Sequence, residues 1–324
     1  MRTFLLAATN VSRMSSFRRA MSVDILRCTT RPNALLEGPH WEPQTQSLLY
    51  VEIYSRKIHR YTPRTNTVET VTVGEYVGAI VPTKSGRLLI AGQRRFSYLD
   101  WESGKLTKIA EVEIDKPVNR FNDAKCDPAG RFWAGTLAEQ KPPHRYALES
   151  GALYCLHPDR TVTKHAVKIT ISNGLAWSPD KRTMYFNDTS TCCVDAFDYD
   201  ITSGSIKNRR HVVEIPSEEG FPDGMCIDSD GMLWVACYMG SRVNRYDPNT
   251  GKKIQTISFP VSNITSCCFG GPTYEDLYVT TSSFRMRREQ LRDQPLAGSV
   301  FVVKGLGVKG PPADIYNDIP FSNL

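Results

Sequence analysis

The sequence predicts an all-β chain folded as a six-bladed β-propeller, on three observations. One layout recurs: a polar residue, a short apolar strand, a tight turn and a second apolar strand. Its copies begin near residues 37, 78, 122, 173, 223 and 265, and a spacing of roughly 40 to 50 residues is the length of a propeller blade. Runs rich in Val, Ile, Tyr, Phe and Trp are broken by Pro-Asp, Ser-Gly, Asp-Gly and Asn-Thr-Gly, while no amphipathic stretch of about a dozen residues suggests a helix.

Each unit can be read in turn. The first is Glu37-Gly38-Pro39-His40-Trp41, a turn, then Leu48 to Ile53. The second joins Val77-Gly78-Ala79-Ile80-Val81 to Arg87-Leu88-Leu89-Ile90 across Lys84-Ser85-Gly86. The third runs from Asn119 through Arg120, Phe121, Asn122 and Asp123 to Cys126, turns at Asp127-Pro128-Ala129-Gly130, and resumes from Arg131 to Thr136. The fourth pairs Asn173-Gly174-Leu175-Ala176-Trp177 with Thr183 to Asn187, and the fifth pairs Asp223-Gly224-Met225-Cys226-Ile227 with Leu233 to Ala236. A weaker sixth copy runs from Thr265 to Gly271 and from Asp276 to Thr280. A lone four-stranded meander leaves both faces bare, so such units are stable only when neighbours cover them. Radial packing does this for all six.

Radial packing also places one repeat position of every unit in a ring at one end of the central channel. Glu37, Asn122 with Asp123, Asn173 and Asp223 occupy that position. Carboxylates held together repel unless a cation neutralises them, and oxygen donors without His or thiolate suit Ca²⁺, Mg²⁺ or Mn²⁺ better than copper. The ring therefore predicts an axial divalent-metal site. Asn-Gly and Asp-Gly are also ordinary turn dipeptides, and Val77-Gly78 shows that the ring position does not demand an oxygen donor. The shared repeat position is what favours ligation.

The ordered motifs Glu37-Gly38-Pro39-His40-Trp41, Arg120-Phe121-Asn122-Asp123, Ser172-Asn173-Gly174-Leu175-Ala176-Trp177 and Pro222-Asp223-Gly224-Met225-Cys226-Ile227-Asp228 resemble the gluconolactonase family in its regucalcin (senescence marker protein) branch. The likeness extends to Gly305-Leu306-Gly307-Val308-Lys309-Gly310 and covers about residues 22 to 312. It implies a six-bladed propeller, one divalent cation (Ca²⁺, Zn²⁺, Mn²⁺ or Mg²⁺) and hydrolysis of sugar-derived lactones to aldonic acids. It further implies Glu37, Asn173 and Asp223 as metal ligands, and Arg120 and Asn122 as substrate contacts. A position that resembles a carboxylate contact in the family carries Gln140 here, so a charge-assisted acceptor becomes a neutral amide.

The expected chemistry is attack of water on a cation-polarised lactone carbonyl, with Asp223 as the catalytic base and Arg120 and Asn122 holding the ring. Arg120 could instead bridge neighbouring blades. The insertion from Gln140 to Ser150 is expected to close over the substrate. His40 lies near the channel, more readily as a packing residue than as a substrate contact. Two other readings share the site: a calcium-binding regulatory protein without turnover, and a propeller hydrolase of phosphotriesters. The chain has no EF-hand loop.

The rest of the chain bounds the function. Residues 1–23 form an extension, 24–312 the propeller and 313–324 a loosely attached tail. The extension carries Arg2, Arg13, Arg18 and Arg19 and no acid before Asp24, which suits a mitochondrial transit peptide or an alternative start near Met21. It also holds much of the formal net charge of +6, so the propeller lacks the basic body that nucleic acid would require. The short clusters Arg94-Arg95, Arg209-Arg210 and Arg285 to Arg288 read as solvated loop charge. The 9 cysteines show no Cys-x-x-Cys or Cys/His ligand spacing, and their odd count with vicinal pairs favours a reduced compartment. The expectation is a monomeric cytoplasmic protein acting on a small-molecule lactone, without a nucleic-acid or membrane partner.

Overall fold

The computed structural model describes residues 23–29, 35–139 and 146–318. It contains six four-stranded antiparallel sheets arranged as a six-bladed propeller. The inner strands are Leu36–Glu42, Val77–Pro82, Asn119–Cys126, Ser172–Trp177, Phe221–Ile227 and Ile264–Gly270, one from each unit read in the sequence. In the first five blades the chain moves outward strand by strand. One short helix, Arg288–Asp293, interrupts the sixth.

Burial explains the closed ring. The apolar residues segregate into six clusters, and each cluster is shared by two neighbouring blades. Leu49 and Val51 of blade one pack with Ile80 and Ile90 of blade two, and Trp41 and Tyr50 of blade one meet Tyr278 and Val302 of blade six. No blade keeps a core to itself, so the array must close.

Closure uses a strand outside the recurring units. Asp24–Arg27 forms the outer strand of blade six, pairing antiparallel with Val300–Lys304 from Asp24↔Lys304 to Arg27↔Phe301. Cys28 N then donates to Val300 O at 2.8 Å, and Val300 N donates to Thr29 Oγ1 at 3.1 Å. Both ends of the propeller are thereby held by backbone hydrogen bonds that no single blade could make.

The tail corrects an expectation. Residues up to Asp318 are tied down: Tyr316 is fully buried, its hydroxyl donates to His157 O at 2.6 Å, and its backbone pairs with Thr83 in parallel. Asp318 accepts from Ser85 N at 3.0 Å and from Arg87 Nη2 at 2.6 Å. One buried aromatic and one paired carboxylate suffice to anchor a segment without strand periodicity. No helix among the described residues is long and apolar enough to cross a membrane.

Candidate functional site

Asn173-Gly174 and Asp223-Gly224 lie inside inner strands, not in turns. Their glycines are there because neighbouring strands converge on the axis. A Cβ on Gly174 would lie 2.6 Å from Met225 N, and one on Gly224 would lie 2.0 Å from Ser266 Oγ. The register of the inner hairpin shifts at this level in all six blades, between Glu37 and His40, Val77 and Ala79, Phe121 and Ala124, Ser172 and Leu175, Pro222 and Met225, and Ile264 and Ser266. These bulges turn the polar side chains of the ring toward the axis.

The predicted ring residues come together there. Glu37, Asn122, Asp123, Asn173 and Asp223 are all buried. The Glu37 and Asp223 carboxyl groups stand close enough to act on each other's ionisation. Asn122 Nδ2 donates to Asn173 Oδ1 at 3.0 Å and to Ser172 O at 2.9 Å, while Asn173 Nδ2 donates to Thr189 Oγ1 at 2.7 Å, so the Asn173 amide is oriented by bonds at both ends. Burial pushes the Glu37 carboxyl well above the ordinary carboxylate range, and the negative charge of Asp123 adds to the shift. Asp223 is raised in the same way by burial, Glu37 and Asp123. Asp123 is raised by burial, opposed by Lys125 and by its hydrogen bond from Ala124 N.

These residues fit a divalent cation. Asp223 Oδ1 is buried without a hydrogen-bond partner, and three mutually repelling carboxyls with the Asn173 amide oxygen form a hard, oxygen-only donor set, while the Asn122 amide oxygen is taken by the Arg120 guanidinium. Below them the channel narrows to a hollow of about 10 Å³ beside Asp123, His40 and Lys125, about enough for one water. His40 is a packing residue here: burial, followed by the charge of Lys125, lowers its pKa to about 3, so the ring is neutral. Further along the same strands a cavity of about 400 Å³, walled by His40, Trp177, Phe269 and Pro311 to Asp314, lies at the channel's other end, away from the ring.

Above the ring sits a polar mouth. Arg120 Nη1 donates to Asn122 Oδ1 at 2.8 Å and to Phe121 O at 3.0 Å, which aligns the guanidinium within its own blade. Its Nε lies 3.7 Å from Glu139 Oε2. Glu139 also accepts from Tyr54 Oη at 2.7 Å and from Arg285 Nη2 at 2.6 Å, and Tyr54 stacks on Phe284 at 4.2 Å. Tyr146 and Tyr238 stand close enough to feel both Asp223 and Arg285, and burial raises both phenols.

Arg285 therefore corrects the reading of its cluster as solvated charge: it reaches back to bind Glu139. Gln140 and most of the inserted loop, 140–145, lie outside the described residues. The described end of that loop returns through an antiparallel bridge between Glu139 and Tyr146. Glu139 thus supplies a carboxylate at the mouth one position before Gln140. Tyr54, Glu139, Arg285 and Tyr238 were not identified from the sequence, because they sit at or just beyond the ends of the second strands of blades one, three, six and five, where the repeats share no residue type. The signal available was that Arg285 and Phe284 follow directly on the sixth unit's second strand, at the same end as the ring.

The family pattern described as "SMP-30/Gluconolactonase/LRE-like region" matches residues 35–283. Regucalcin of Gallus gallus is 49% identical over 276 residues, which is 85% of this chain and 92% of that protein. A solved luciferin-regenerating enzyme superposes with a TM-score of 0.84 at 32% identity, covering 91% of this chain and 100% of its own. A calcium-binding protein, regucalcin, from Agrobacterium tumefaciens superposes with a TM-score of 0.84 at 27% identity, over 90% of this chain and 97% of its own.

Proposed function

The chain belongs to the SMP-30/gluconolactonase/LRE-like family, and from that premise we propose that it hydrolyses sugar-derived lactones to aldonic acids, with one divalent cation held by Glu37, Asn173 and Asp223. The observation that carries this reading is the partnerless Asp223 Oδ1, buried among like charges directly below a guanidinium and an amide placed to hold a polyhydroxylated ring. The oxygen-only donor set favours Ca²⁺, Mn²⁺ or Mg²⁺, with Zn²⁺ as the fourth candidate. When bound, the cation would neutralise the carboxylates and supply Lewis-acid polarisation of the lactone carbonyl.

The chain's own residues account for the remaining steps. Asp223 Oδ1, buried and without a hydrogen-bond partner of its own, takes the proton of the attacking water. Arg120, fixed by Asn122 Oδ1 and Phe121 O, donates to ring and hydroxyl oxygens, so little orientational freedom is left to lose in the transition state. Asn122 has both ends of its amide engaged and keeps Arg120 in register with Asn173. Glu139, held by Tyr54 and Arg285, offers the charge-assisted acceptor for a sugar hydroxyl that Gln140 cannot.

The test is proton release from glucono-1,5-lactone by chelated protein after each cation is restored singly, beside Asp223→Asn. Turnover that returns with a cation in the wild type and is lost in the variant supports the reading; full activity in the variant would remove Asp223 as the base. The same oxygen cluster favours a second reading, calcium binding without turnover, which the description of the A. tumefaciens relative invites. Stoichiometric Ca²⁺ binding with no hydrolysis under any cation would establish it instead.

A further inference from the structure

Blade three carries a second convergence of metal-binding side chains, on its outer hairpin and unrelated to the axial ring. The third strand, Gly151–Leu156, pairs with the fourth, Val162–Ile169, in a register that sets Cys155 opposite Thr163. Directly paired residues face the same side of a sheet, and so do residues two apart. Cys155 and Thr163 therefore share one face. His165 is the extra residue of the bulge between Ala166 and Lys164, and His157 follows the third strand directly; the hydrogen bonds of both imidazoles to Thr163 bring them to that same face, beside the core shared with blade four.

The distances show how closely they meet. The ligating atoms of Cys155, His157 and His165 all lie within 4.8 Å of one another. Both imidazoles direct Nε2 at one point, the hydroxyl of Thr163, at 2.8 Å for His157 and 2.7 Å for His165. The Cys155 thiol is buried in the core between blades three and four, while the two histidines stand at its rim, half-buried and reachable from solvent. The His165 ring packs on Trp133 with centroids 4.5 Å apart, and the His157 carbonyl is engaged by the Tyr316 hydroxyl, so both rings hang from fixed supports. Tetrahedral Zn²⁺ with one sulfur and two nitrogens needs ligand atoms roughly 3.3–3.7 Å apart, a contraction that small rotamer changes supply.

We propose that Cys155, His157 and His165 form a Zn²⁺ site, with water or Thr163 Oγ1 in the fourth position. The donor set is the reverse of the axial one: a thiolate and two imidazoles prefer zinc or cobalt and disfavour calcium and magnesium. Binding converts the thiol to a thiolate and releases its proton to solvent, with no change of oxidation state. The site corrects the reading that no Cys/His ligand spacing exists, because Cys155-x-His157 gains its third member only through the antiparallel pairing of the hairpin.

The test is a Co²⁺ titration of the full, reduced and chelated chain followed by absorption, in the wild type and in Asp223→Asn, which disables the axial ring. Both proteins are expected to develop a thiolate-to-cobalt charge-transfer band in the near ultraviolet, saturating at one equivalent in Asp223→Asn, displaced by Zn²⁺ and not by Ca²⁺. Cys155→Ser is expected to abolish the band, and His157→Gln, at a half-buried turn position that tolerates the change, to weaken binding by at least about tenfold. Lactone hydrolysis with the axial cation restored should be unchanged in Cys155→Ser, which separates this site from the axial one. Absence of the band in wild type, or its survival in Cys155→Ser, would overturn the proposal.

Discussion

Two groups of buried carboxylates, equally hidden from water, are treated in opposite ways. Asp127 and Asp228, at the turns of blades three and five, are fully buried and saturated with donors. Asp127 accepts from the backbone N–H groups of Ala129 and Arg131 at 2.9 Å, from Arg131 Nη1 at 3.0 Å, from Trp133 Nε1 at 2.9 Å and from Tyr199 Oη at 2.7 Å. Asp228 repeats the pattern with Asp230 N, Met232 N, Trp234 Nε1 and Arg245. Glu37 accepts from its own neighbour, Gly38 N, at 3.1 Å, and Asp223 keeps an oxygen with no donor. Burial alone does not mark a functional acid; burial without donors does.

The comparison can be broken by mutation, beginning with the largest expected effect. Asp127→Ala strands the Arg131 guanidinium and the Trp133 and Tyr199 donors, and should cost about 3–5 kcal/mol of stability in urea unfolding while leaving kcat near wild type in the folded protein. Asp223→Asn should do the converse. It removes one of the repelling carboxyls, so the chelated chain is expected to gain about 1–2 kcal/mol, although turnover is lost. Equal destabilisation by both substitutions would erase the distinction between the two groups.

Smaller effects sharpen it. Arg120→Lys keeps the charge but loses the fork that bonds both Asn122 Oδ1 and Phe121 O. A fall of about tenfold in kcat/KM, about 1.4 kcal/mol, is expected with cation affinity unchanged in calorimetric titration. Asp318→Asn weakens the charge-assisted bond to Arg87 that seals the tail, and should lower stability by about 1 kcal/mol without touching turnover.

How much of this was legible in the sequence follows from where each residue sits. The blades and the ring could be read because each unit repeats two strands and a turn, so Glu37, Asn173 and Asp223 inherit one position from the repeat. The closing strand Asp24–Arg27 could not, since four residues of mixed polarity carry no periodicity and their partner Val300–Lys304 lies at the other end of the propeller. Tyr316 is a single aromatic whose burial depends on a groove made by blades two and three. Arg285 and Glu139 meet across 146 positions of sequence, a pairing set by loop conformation and not by any repeat. His165 joins Cys155 only through strand register.

The most direct measurement of the account is the thermal midpoint of chelated protein as a function of pH, with and without a restored cation. The folded Glu37 carboxyl holds its proton up to a pKa of about 8 against an ordinary 4.5, and Asp223 is displaced in the same direction. These two carboxyls therefore bind more protons in the folded state than in the unfolded chain between these values, and their contribution to stability falls as pH rises from about 5 to about 8. The fall is plainest above about pH 7, where the buried His40 and half-buried His165, whose lowered pKa values act in the opposite direction, no longer titrate. A cation that occupies the ring should raise the midpoint most at the alkaline end and flatten this decline. A chelated midpoint that is constant across that range and indifferent to added cation would contradict an axial ring built to hold one.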